Sequence, residues 1–114
     1  MNQYESFIKC VKENFDIITQ MMMFKEKTLE NPIYKFLVAN MKNSSSILNE
    51  QPLPIFKNEK KDFFEDILKR SIELSHLAGE VINSNVPLNI LIKKIEEYVE
   101  LNQDWIINYK IYLI

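Results

Sequence analysis

The chain carries one histidine, His76, and its single arginine, Arg70, stands six positions before it. An arginine fork can hold a phosphate, and a histidine can move a proton near neutral pH. Together they are the pair that could cleave a phosphodiester. Glu73 precedes His76 by three positions and Glu80 follows it by four. On a helix, such spacings put carboxylate and imidazole on neighbouring positions, as a metal site would require. Asp62-x-x-Glu65 and Glu96-Glu97-x-x-Glu100 are spaced carboxylates that could gather Mg²⁺ against phosphates. Cys10 is the one thiol, has no histidine on its own helix, and reads as a small packing residue.

The elements that must position these groups follow from an apolar repeat interrupted at the prolines. Tyr4, Ile8, Val11, Phe15, Ile18 and Met22 alternate by four and three, and Leu29 rejoins the series after Lys25. Phe7, Met21 and Phe24 widen this seam into a core face, which predicts a first helix over about 3–29. Asn31 is placed to cap a second helix that Pro32 opens, with Ile33, Phe36, Leu37 and Met41 on one face. The serines at 44–46 compete for backbone hydrogen bonds, so this helix spans either 32–42 or 32–49. Gln51-Pro52-Leu53-Pro54 is a break.

A third helix is expected over 59–83, capped by Asn58. Phe63, Phe64, Ile67, Leu68, Ser71, Leu74, Ser75, Ala78, Val81 and Ile82 form its apolar arc. Glu65, Asp66, Lys69, Glu73, His76 and Glu80 form the polar arc, with Arg70 on its far shoulder. Asn83-Ser84-Asn85 is the turn and Pro87 opens a fourth helix over 87–110. Its seam is Leu88, Ile92, Ile95, Val99, Asn102, Ile106 and Tyr109, flanked by Leu91, Tyr98 and Trp105. Asn102 is the polar exception, a residue that can set helix register or partner choice. Short connections between helices favour antiparallel neighbours, so the fold class is an all-α, single-domain, up-and-down four-helix bundle.

Three family resemblances attach to the chemistry-bearing residues. Arg70-x5-His76, with Ser71 after the arginine, resembles the R-x4-6-H signature of HEPN ribonucleases. That resemblance implies RNA cleavage by Arg70 and His76, commonly across a dimer interface. Glu73-x-x-His76 resembles the inward-facing pair of ferritin-like di-iron bundles, where it occurs twice. Asp62-x-x-Glu65 and Glu96-Glu97-x-x-Glu100 resemble pieces of the Mg²⁺ motifs of MazG-type nucleotide pyrophosphatases. The helical wheel weighs against all three. His76 lies among acids on the polar arc, the di-iron pair lacks its second histidine, and Glu96, Glu97, Glu100 and Asp104 face away from the core arc. The expectation is therefore a protein that is not an enzyme and uses no metal or cofactor.

Composition narrows the remaining classes. A single glycine disfavours all-β and Rossmann-type folds, and 46% hydrophobic residues suffice for one packed core. The net charge of −2, with the acid concentrated in the second half, argues against a nucleic-acid partner. The longest uncharged stretch, 81–92, is too short to span a bilayer, and the charged N-terminus lacks the apolar run of a signal peptide. One cysteine allows no internal disulfide, so a reducing cytoplasm is expected. Frequent Ile, Lys and Asn indicate an AT-rich source such as a low-GC bacterium, its phage or a comparable virus.

The C-terminal stretch from Trp105 is apolar on nearly every side of a helix. Trp105, Tyr109, Tyr112 and Ile114, with Asn102, are the expected interface to a second copy or to a target. The sequence thus points to a non-enzymatic protein-binding module, most simply a small inhibitor or immunity-type protein such as an anti-defence protein, a bacteriocin immunity protein or an antitoxin. The alternatives are a HEPN-like ribonuclease using Arg70 and His76, or a structural subunit of a larger assembly.

Overall fold

The computed structural model describes residues 3–51 and 58–101. Four helices follow in order: α1 (Gln3–Met23), α2 (Pro32–Glu50), α3 (Asn58–Ile82) and α4 (Leu88–Leu101). Each packs on its neighbour in sequence and α4 returns to α1, closing a four-helix bundle. Among the described residues there is no strand.

The core is the set of faces the apolar period selects. Phe7, Ile8, Val11, Phe15, Ile18 and Met21 of α1 meet Val38, Met41 and Leu48 of α2 and Ile67, Leu74, Ala78 and Val81 of α3. On α4 the buried line is Leu91, Ile95 and Tyr98. Leu88, Ile92 and Val99, expected as its seam, are only half-buried. The face of α4 is therefore turned a little from its heptad. Tyr98 stacks on Phe15 with ring centres 5.3 Å apart, which ties α4 to α1.

Helix ends follow local chemistry where a capping residue exists. Asn31 Oδ1 accepts from the amides of Ile33 at 2.9 Å and Tyr34 at 3.3 Å, and Pro32 follows it as expected. α3 begins and ends one residue earlier than the apolar pattern predicts. It closes in a Schellman arrangement, with the amide of Asn85 on the carbonyl of Glu80 and that of Ser84 on Val81. Ser84 takes the left-handed conformation there, with φ 63°.

Two further expectations fail. α1 stops at Met23 rather than 29. After Met22 the seam falls on Lys25, an exposed charge, so a further turn would bury nothing there. The chain instead folds back. Phe24 packs edge-on against Tyr34, Lys27 Nζ donates to the carbonyl of Phe24 at 2.7 Å, and Asn31 Nδ2 donates to Glu26 at 2.8 Å.

The second failure is the face of α2. Ile33 and Phe36 are 61% and 64% exposed, and Tyr34 and Val38 take the core positions beside Leu37 and Met41. α2 also runs unbroken through its serines to Glu50, resolving the two predicted lengths in favour of the longer. The reason is tertiary: Asn14 Nδ2, thirty residues away, donates to Ser44 Oγ at 2.9 Å and Ser45 Oγ at 2.8 Å. Ser44 and Ser46 donate their own protons back to the helix, to the carbonyls of Met41 and Lys42. Side chains that would loosen an isolated helix are all occupied in this one.

Candidate functional site

α2 and α4 sit against opposite flanks of α3, and α3 presents them with different residues. Toward α2 it offers small ones. Ser75 Oγ lies 3.0 Å from Ser46 Oγ and donates to the Lys42 carbonyl at 3.3 Å. Gly79 leaves room for the Lys42 side chain, whose Cε would lie 3.3 Å from an added Cβ. Toward α4 it offers Leu74 and Leu77, which line an open groove together with Tyr98. Interhelical distance follows the size of the side chains at the contact.

The result is an open groove of about 490 Å³ between α3 and α4. Leu74 and Tyr98 are buried at its floor, Leu77 is half-buried, and Ile72 stands at the lip 43% exposed. Arg70, Glu73, His76 and Glu80 line the α3 side, and Lys94 and Glu97 the α4 side.

Both cations of this rim are engaged. Arg70 Nε donates to Asp66 Oδ2 at 2.8 Å, one turn away on the same helix. Lys94 Nζ lies 3.7 Å from Glu97 Oε2. No ion pair holds Glu73 or Glu80 among the described residues, so the acidic excess of the rim lies on its α3 side, while Lys94 and Glu97 balance on the α4 side. Burial pushes the Tyr98 phenol well above the usual tyrosine range; Arg70 pulls it down and Asp66 pushes it up by smaller amounts.

Arg70 and His76, which the wheel sets on different parts of α3, therefore line one groove, because α4 supplies its second wall. They are not brought together. Six residues separate them by about 9 Å along the helix axis and about 120° around it. The arginine is held by a carboxylate, and His76 stands exposed between Glu73 and Glu80. Such a set repels a phosphate more than it attracts one.

Glu73 and His76 both face the groove. Yet among the described residues no three His, Cys, Asp or Glu side chains are placed to hold a metal ion. Asp62, Glu65, Glu96 and Glu100 are exposed, and Glu97 is half-buried at the rim. Cys10 is half-buried, and burial, with Glu13 nearby, raises its thiol pKa. The thiol is thus held in its less reactive form.

The expected interface residues Asn102, Trp105, Tyr109, Tyr112 and Ile114 lie outside the described residues. The sequence reading missed the groove, although it held a signal for it. Ile72 and Leu77 are apolar residues that belong to neither the core arc nor the polar arc of α3. Ile33, Phe36 and Ile47 form a separate exposed line along α2 and do not line the groove. No helix among the described residues is long and apolar enough to cross a membrane. Comparison with protein-family models, with curated proteins and with solved structures finds no match for this chain.

Proposed function

We propose that the protein is a non-enzymatic protein-binding module of the small inhibitor or immunity type, working in a reducing cytoplasm. The α3/α4 groove carries this reading. It joins an apolar floor to a charged rim, the composition of a docking surface, and holds no nucleophile and base in hydrogen-bond reach of each other. The lone, half-buried Cys10 suits a reducing compartment, and the AT-rich residue usage suits a bacterial or phage source.

The test is a comparison of two baits. Tagged wild-type protein and its Leu77→Lys variant are passed over lysate of the source cell or its host, and retained proteins are identified by mass spectrometry. A partner held by the wild type and lost from the variant, with circular dichroism unchanged, is the expected result. Identical captures would remove the groove from the function.

A HEPN-like ribonuclease is the second reading, favoured by the one observation that Arg70 and His76 share the groove. Purified protein is expected to leave RNA intact. Cleavage that disappears in both Arg70→Ala and His76→Ala would replace the binding reading with the catalytic one.

A further inference from the structure

We infer that the α3/α4 groove receives a basic amphipathic helix of a partner protein, apolar along one stripe and lysine- or arginine-rich on the shoulder that meets α3. This rests on the reading of the groove as a docking surface and names the chemistry of what docks. The length fits. From Arg70 to Glu80 the groove follows α3 for ten residue steps, or about 15 Å, which matches about three turns of an incoming helix. The apolar part fits as well: Leu77 and Ile72 expose apolar surface at the groove above the buried Leu74 and Tyr98, and an amphipathic helix meets such residues with its own apolar stripe.

Charge decides which helix. Glu73 and Glu80 flank the floor on the α3 side and Glu97 on the α4 side. The two cations of the rim are already paired, Arg70 with Asp66 and Lys94 with Glu97. An acidic helix would therefore meet the two unpaired carboxylates of the α3 wall, and a basic one would find its partners there.

The exposed face of a second copy is a poor match. The α2 line of Ile33, Phe36 and Ile47 has Asn40 and Asn43 between its apolar residues. Of the cations beside it, Lys35 stands on one shoulder next to Phe36, and Lys42 lies against Gly79.

Fluorescence anisotropy on the full chain tests the inference with three labelled probes. One is an amphipathic leucine/lysine peptide of about fifteen residues, long enough to form a helix on a surface. The second has the same composition in scrambled order. The third keeps the apolar pattern with glutamate for lysine.

The expected result is saturable binding of the first probe and at least about tenfold weaker binding of the scrambled one, with none of the glutamate peptide. Binding should fall about tenfold in Glu73→Lys/Glu80→Lys, whose sites are exposed, and further in Leu77→Lys. Circular dichroism of both variants should match the wild type. Equal binding of ordered and scrambled lysine peptides would overturn the inference, as would affinity indifferent to both variants. Sedimentation showing self-association that Leu77→Lys abolishes would assign the groove to a second copy and overturn it too. If the basic probe fails while groove-dependent capture from lysate persists, the docking reading stands and the basic helix falls.

Discussion

The two flanks of α3 are built from the same amphipathic period and end up as different objects. On the α2 flank Ser75, Gly79 and Ala78 admit a close neighbour, and Val38, Met41 and Leu48 disappear from solvent entirely. On the α4 flank Leu74, Leu77 and Tyr98 line an open groove. Period selects the face that turns inward, while side-chain size sets how near the next helix comes. One flank is consequently committed to stability and the other keeps apolar surface available for a partner. The polar groups divide in the same way. Asn14 is sealed in the α1–α2 interface with Ser44 and Ser45, whereas Glu73, His76 and Glu80 stand in solvent at the groove.

The contrast should be largest in cavity-forming variants. Met41→Ala, at a position with no exposure, is expected to lower the unfolding free energy by about 3 kcal/mol in urea titration. Leu77→Ala, half-buried at the groove, should cost less than about 1 kcal/mol by the same titration, because the side chain already borders open space. Equal costs would show that the groove is core and dissolve the distinction between the flanks.

Next in size is the polar cluster. Asn14→Ala removes the donor to two serine hydroxyls and leaves them buried without it, an expected loss of about 2 kcal/mol. Some is returned, since Asn14 Oδ1 has no hydrogen-bond partner among the described residues. Partner capture by this variant should equal that of the wild type. A variant that melts normally would mean that the serines of α2 do not depend on Asn14.

The smallest effect is alkaline. Buried in the folded chain, the Tyr98 phenol resists ionisation, while in the unfolded chain it ionises near the ordinary value of about 10. Stability is therefore intact below that pH and declines as pH rises above it. Tyr34, raised by burial in the same direction, adds to the decline. Tyr98→Phe should make the decline of melting temperature above pH 10 shallower without abolishing it. An unchanged slope would mean that Tyr98 ionises as easily folded as unfolded.

The four helices, the Asn31 cap with Pro32, the stop at Gln51 and the 83–85 turn were legible because each rests on residues within a few positions of one another. The path of α2 through Ser44–Ser46 was not, because the amide that satisfies Ser44 and Ser45 comes from Asn14 on another helix. Nor was the exposure of Ile33 and Phe36, since Tyr34 and Val38 lie one or two positions away and compete for the same core. At the site, Arg70, Glu73 and His76 could be picked out by residue type alone. That they share a groove with Glu97 and Tyr98 depends on the spacing of α3 and α4, which no local pattern encodes.

The groove is tested most directly by amide chemical-shift mapping of the isotope-labelled full chain as the leucine/lysine peptide is added. A docking groove between α3 and α4 predicts shifts concentrated at residues 72–80 and 94–98, with the amides around Ile33, Phe36 and Ile47 unmoved. Shifts centred on α2, or spread evenly over every acidic helix face, would contradict it.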